Sequence, residues 1–211
     1  MPTLESVKPY YPATDHVHGF DHIQRVYTMA ERLAAAEGAD LEIVRAAALL
    51  HDIEGSRPKA EERSSHHQQS AEIAGDILRA EGWPEERIAA VQHCIRAHRY
   101  RDNREPPATI EAKVLFDADK LDVLGAIGVV RVLGYAQQAG QPVYSLPSEQ
   151  FLRSGVEEPG EPHSAYHEHL FKLRKVKERL FTAEAHKIAE GRHAYLDEFF
   201  ERLLAEMRGE L

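Results

Sequence analysis

Residues 41–53 read LEIVRAAALLHDI. Leu41, Val44 and Ala48 fall on one stripe of a helix, and His51 lies one turn further along it. The run predicts a helix that ends by presenting an imidazole and a carboxylate, His51 and Asp52, inward. Burying such groups unpaired costs several kcal/mol, so they need a partner. A divalent cation is the natural partner for that pair. His22 lies upstream in GFDHIQRV, residues 19–26, and Asp119 lies downstream in DADKLD, residues 117–122.

The same helical reading extends along the chain in both directions. Ile23, Val26, Ala30 and Leu33 repeat at helical spacing, with Gly38 as the stop and Asp40 as the cap of the next helix. The polar stretch GSRPKAEERSS reads as a loop. A third helix is expected from about Ser65 to Glu81, with Ile73, Ile77 and Leu78 on its apolar side and Gly82 as its stop. Pro84, Glu85 and Glu86 suit the start of a fourth, which carries Ile88, Val91, Ile95 and His98. RYRDNREPPAT reads as a basic loop. A fifth helix from about Thr109 carries Ile110, Val114, Leu115, Ala118 and Asp119. Helix is expected to continue from Leu121 to Gln138, with Gly125, Gly128 and Gly134 marking close packing. Gly140 to Pro162 reads as a long irregular loop of the kind that forms lids or binding loops. AYHEHLFKLRKVKERL and TAEAHKIAEGRHAYLDEFFERLLAEM read as two closing helices, with Thr182 as the cap between them. No strand and no internal repeat is legible, so the fold class is all-α: one domain over 1–211, with a core about 15–125, the loop about 138–162 and C-terminal helices about 163–208.

Composition narrows the function. A chain of 211 residues can bury a sizeable core. A net charge of −9 argues against stable nucleic-acid binding, which wants a basic surface. The single cysteine, Cys94, leaves no disulfide framework and suits a reducing compartment. MPTLESVKPYYPATD has no apolar run, which predicts no signal peptide, and no stretch approaches the roughly 20 apolar residues of a membrane span. These readings predict a cytoplasmic protein without a membrane partner. Of the 13 histidines, His16, His18, His22, His51, His66, His67 and His93 precede Cys94.

Two histidines and two carboxylates form a mixed nitrogen and oxygen donor set. It suits Mn²⁺, Fe²⁺, Ni²⁺, Zn²⁺ or Mg²⁺, and the absence of cysteine argues against a structural zinc site. Four protein ligands leave places on an octahedral ion for water and a phosphate oxygen. Water activated by the metal is then the nucleophile. A phosphate ester or anhydride needs mainly charge neutralisation and an in-line nucleophile.

His22 in DHIQRV, His51-Asp52 closing AALLHDI and Asp119 in DADKLD follow the order H…HD…D. In this the sequence resembles the HD-domain superfamily of metal-dependent phosphohydrolases. EGAD, EAKVLFDADKLDVLGAIG and the C-terminal IAEGRH resemble its small bacterial and archaeal YedJ-like branch. The resemblance covers roughly residues 15 to 208 and implies a helical bundle of the HD-domain type. It further implies one divalent ion on His22, His51, Asp52 and Asp119, with a second ion as the alternative. The implied substrate is small and phosphorylated, a nucleotide first of all, and the implied activity is phosphohydrolase or pyrophosphohydrolase. Rival readings are a (p)ppGpp- or cyclic-nucleotide-type phosphodiesterase and a non-catalytic regulatory module that binds metal or nucleotide. A homodimer stays open.

A further tier of residues surrounds the ligand set. His66 precedes Ser70-Ala71 as in the H-x-x-x-[GS]-A element of HD proteins with more than one metal. His98 shares an inward phase with Val91 and Ile95. In two-metal relatives, histidines at matching places hold the second ion while the HD aspartate bridges. Where those relatives carry another histidine after His98, this chain has Arg99. His66 and His98 are therefore expected either on a second ion or on substrate phosphate, in the same cavity as Asp52. Glu54 stands near the place of a water-orienting acid. Arg25, Arg99 and Lys120 are the substrate-binding candidates, among the cations Arg57, Lys59, Arg96, Arg101 and Arg104. Tyr144 and Tyr166 are candidates for stacking a base.

Overall fold

A computed structural model describes residues 1–11, 19–54, 66–99 and 105–211. The elements are α-helices and short 3₁₀ turns, and no strand occurs among the described residues. The all-α architecture expected from the sequence is the one observed. The chain forms two compact units. The first is built from residues 1–120 and 180–185, the second from 121–179 and 186–211.

The first unit opens with the short α1 (Leu4–Val7), capped reciprocally by Thr3 and Ser6. α2 (Phe20–Glu37) buries Ile23, Val26, Ala30 and Leu33 on the expected stripe and ends at Gly38, whose φ of 71° is the left-handed stop that glycine adopts without strain. Asp40 caps α3 (Leu41–Leu50), accepting from the Glu42 and Ile43 amides. Of the seven α3 residues from Val44 to Leu50 all but Arg45 are buried, and the apolar end is buried all round: Ala46, Ala47, Ala48, Leu49 and Leu50 are each at most 1 % exposed. A helix buried on every side is central, and α3 packs against both α2 and α5.

α4 (His66–Ala80) departs from the expected register. Its buried stripe is His67, Ser70, Ala71, Ala74, Gly75 and Leu78, while Ile73 and Ile77 are only half-buried. Small residues face inward because α4 lies close along α5 (Glu85–Ala97). A Cβ on Gly75 would stand 2.4 Å from Gln92 Nε2, which donates to Ala71 O. Pro84 sits at the cap of α5 rather than inside its first turn. α6 (Ile110–Leu121) carries the DADKLD motif. The start expected at Ser65, the polar loop 55–65 and residues 100–104 of the basic loop, with Arg57, Lys59, Arg101 and Arg104, lie outside the described residues, as do His16 and His18.

In the second unit, the helix expected from Leu121 to Gln138 begins only at Gly125. α7 (Gly125–Gln138) follows a break at Asp122–Leu124, made by Gly125 at φ 69°. Close packing holds at Gly128, where a Cβ would stand 2.3 Å from Val123 O, but Gly134 has open space around it. The long loop contains one short helix, α8 (Glu149–Ser154), capped by Ser148. α9 (Ala165–Phe171) stops earlier than the pattern predicts. The chain turns at Lys172 into 3₁₀ turns, where Leu173 and Val176, three residues apart, are the buried pair that a three-residue turn stacks. α10 (Ala183–Met207) closes the chain. No helix among the described residues is long and apolar enough to cross a membrane.

Candidate metal centre

α3 and α5 end in the same way. His51 follows the last residue of α3, and its Nδ1–H donates to Ala48 O at 2.9 Å. His98 follows the last residue of α5, and its Nδ1–H donates to Ile95 O at 2.5 Å. In each, the carbonyl three residues back is one that the helix end leaves without an amide. A carbonyl only accepts, so the proton is on Nδ1 and the lone pair on Nε2. Both rings thereby offer Nε2 to the space between the helices, which is the tautomer a metal ligand needs.

Asp52 fills that space. Its Oδ2 stands 3.8 Å from His22 Nε2 and 3.7 Å from His51 Nε2. Its Oδ1 stands 3.6 Å from His66 Nε2 and 3.5 Å from His98 Nε2. Asp119 reaches in from α6 with Oδ1 3.6 Å from His22 Nε2. The donors fall into two groups that could each hold an ion, His22 with His51 and Asp119, and Asp52 with His66 and His98; within a group the atoms lie within 4.8 Å of one another. The rings of His51 and His98 meet edge-on at 5.1 Å. His22, His51 and His98 are at most 3 % exposed, while the side chain of His66, first in α4, is 20 % exposed.

The electrostatics follow from this burial. Burial pushes the His51 imidazole below its ordinary value, against the pull of Asp52. Burial would raise Asp52, but His51, His98 and His66 hold its carboxyl well below the usual range. Burial likewise opposes the ionised Asp119, and Lys120, His22, His51 and His98 prevail over it. His51 Nε2 and Asp52 Oδ1 are buried and engage in no hydrogen bond among the described residues. A buried polar atom in that state costs about 1–3 kcal/mol. The six imidazole and carboxylate groups gathered here, with no cysteine among them, fit a divalent ion.

The other expected residues are placed as follows. Glu54 is half-buried in the turn after Asp52, and its amide donates to Ser70 Oγ at 3.3 Å. Arg25 pairs with Asp21 at 2.7 Å along the surface of α2. Lys120 lies against Asp119. Arg96 and His93 both bind Glu105, and His93 also accepts from the Ala108 amide. Arg99 is half-buried beside His98 in the chain. Tyr144 and Tyr166 face each other, ring centroids 5.6 Å apart. Two supporting residues have roles that the sequence does not disclose. Ser70 ties α4 to the turn after Asp52, and the hydroxyl of the buried Tyr11 donates to Leu49 O at 2.7 Å. The H-x-x-x-[GS]-A element contains the serine without disclosing its bond to the Glu54 amide, and no spacing points to the tyrosine.

A family model described as HD domain matches residues 19–124. The uncharacterized protein YpgQ of Bacillus subtilis (strain 168) is 31% identical over 195 residues, which is 91% of this chain and 85% of that protein. The crystal structure of Bacillus subtilis YpgQ in complex with ADP superposes with a TM-score of 0.72 at 26% identity, covering 98% of this chain and 99% of that one. A crystal structure of an HD-superfamily hydrolase from Bacillus thuringiensis has a TM-score of 0.69 at 28% identity, covering 97% and 93% of the two chains.

Proposed function

The chain belongs to the HD-domain family, and on that premise we propose that it is a metal-dependent phosphohydrolase acting on a phosphate ester or anhydride of a nucleotide. The observation that carries the proposal is Asp52, with one carboxylate oxygen toward His22 and His51 and the other toward His66 and His98. On this reading His22, His51 and Asp119 would hold one ion, His66 and His98 would serve a second if one binds, and Asp52 would be a ligand available to either. A bound divalent ion supplies a lowered water pKa and neutralises phosphate charge.

The chain's own residues supply the rest. Two tautomer-fixed imidazoles keep their lone pairs aimed inward without reorganisation. Asp52 and Asp119 stay ionised at neutral pH and so are ready to bind a cation. Glu54, in the turn held by Ser70, is assigned the orientation of the attacking water. Arg99, next to His98, is assigned to the substrate's phosphate, and Arg25 to its outer approach, where Asp21 offsets its charge. The ADP in the YpgQ complex, together with the match over nearly the whole chain, supports a nucleotide as the substrate class.

The test is phosphate and pyrophosphate release from a panel of nucleoside mono-, di- and triphosphates, cyclic nucleotides and (p)ppGpp with Mn²⁺. Release from the simple nucleotides is expected. Turnover confined to cyclic nucleotides or (p)ppGpp would move the protein to the phosphodiesterase reading, and no turnover with metal bound would make it a binding module. Asp52→Ala should lower turnover by at least about a thousandfold, roughly 4 kcal/mol of transition-state stabilisation, with helical circular dichroism retained. Wild-type turnover at matched metal content would sink the assignment.

A further inference from the structure

Lys120 follows Asp119 directly in α6. Successive residues of a helix point about 100° apart and do not face each other. Here the lysine bends back, and its ammonium donates to Oδ2 of Asp119. The same Nζ stands 5.3 Å from the centroid of the Phe116 ring, one turn earlier. Phe116 is 2 % exposed and is itself fixed edge-on against Phe181 at 5.1 Å. Held between a carboxylate and an aromatic face, the side chain of Lys120 is only 12 % exposed. A lysine poised to capture phosphate keeps its ammonium in water until the anion arrives. This one is already engaged on two sides.

The contact divides the two oxygens of Asp119. Oδ2 accepts from the ammonium, and Oδ1 is the oxygen 3.6 Å from His22 Nε2. A carboxylate with both oxygens available can take a hard cation through two atoms. That arrangement adds affinity but fills a coordination place, whereas a catalytic ion needs one left open. Resting on the reading of His22, His51 and Asp119 as metal ligands, we propose that Lys120 is a positioning residue. It restricts Asp119 to one oxygen and offsets its charge, giving up metal affinity to keep a place open for substrate.

The experiment is a Co²⁺ titration of the full chain, followed by calorimetry and by visible absorption, in wild type, Lys120→Met and Lys120→Arg. Lys120→Met removes a positive charge beside the cation and releases Oδ2. It should bind the first Co²⁺ about tenfold more tightly. Its absorption should weaken, as added coordination brings, and kcat should fall while KM changes little. Lys120→Arg should keep the wild-type affinity and spectrum. If Lys120→Met does not fold, Lys120→Gln carries the same expectations. Unchanged or weaker Co²⁺ binding with an unchanged spectrum in the neutral variant overturns the proposal. A raised KM with Co²⁺ binding unaltered also overturns it and gives the lysine to the phosphate. Failure of the underlying reading looks different: wild type takes up no Co²⁺, or Asp119→Ala takes it up as wild type does.

Discussion

The acidic residues of DADKLD each do a separate job. Asp117 is fully buried and accepts from the Phe181 and Thr182 amides and the Thr182 hydroxyl, at 2.7 to 3.1 Å, so it caps the start of α10. Thr182, at the expected cap position just before α10, donates its hydroxyl to that carboxylate. Asp119 faces the candidate metal centre, and Asp122 accepts from Arg131 in the second unit. A similar economy appears around Glu161. Its carboxylate accepts from the Ser148 amide and hydroxyl and the Glu158 amide, each at 2.7 Å, and pairs with His167 Nε2 at 3.0 Å. Ser164 Oγ stands 2.7 Å from His167 Nδ1, so serine, histidine and glutamate line up like a nucleophile relay. Ser164 and His167 are both fully buried and Ser164 Oγ caps α9, so the line is structural. Burial would raise Glu161, but His167 and the Ser148 and Glu158 donors hold it down to about 2 from an ordinary 4.5. A depressed carboxyl favours the fold above its ordinary value and loses that contribution as pH falls through the depressed one. Amide protection at Ser148 and Glu158 should therefore decline between about pH 4.5 and pH 2. Glu161→Gln should reproduce the loss at pH 7. Protection unchanged in that variant would remove Glu161 as the fastener of the loop.

At the scale of elements, helix ends and glycines set the geometry. Two of the centre's histidines stand where α3 and α5 stop, where carbonyls left without amides fix their tautomers. α7 offers a test of what its glycines do. Gly128→Ala would place a Cβ 2.3 Å from Val123 O, a backbone atom that cannot swing away. Despite alanine's better helix propensity, worth about 1 kcal/mol, the clash should destabilise by roughly 2–3 kcal/mol. Gly134→Ala, with open space around it, should stabilise by about 0.5–1 kcal/mol. Equilibrium urea unfolding of the two variants checks both signs, and a neutral Gly128→Ala would show that the break before α7 can move. The letters Gly125, Gly128 and Gly134 announced close packing equally. Periodicity marks where a glycine lies on a helix but not which atoms stand opposite it.

At the scale of the whole molecule, stability and metal are linked. An ion that binds the folded chain and not the unfolded one stabilises by about 2.7 kcal/mol at a hundredfold excess over its Kd. At the roughly 2–4 °C per kcal/mol typical of this size, Mn²⁺ should raise the melting temperature by about 5–10 °C. EDTA should reverse the shift, and Asp52→Ala should abolish it. A wild-type melting temperature indifferent to Mn²⁺ and EDTA would show that the converging histidines and carboxylates do not hold an ion. Among the described residues, many acids are held in ion pairs and caps, such as Asp40 with Arg87 and Glu105 with Arg96, while Asp52 and Asp119 turn into the centre.

The sequence by itself determined that the chain is helical, where α2, α3 and α5 run, and which imidazoles and carboxylates were candidates to meet. Those properties are local: apolar spacing, caps and glycine stops act within a turn or two. The tertiary structure alone decided the rest. It set the two oxygens of Asp52 toward different histidine pairs, turned Lys120 onto Asp119 and Phe116, and chose small residues over Ile73 and Ile77 as the inner face of α4. Each of these depends on distances between helices, and those distances come from how side chains pack across the interfaces rather than from the order of residues along any one helix.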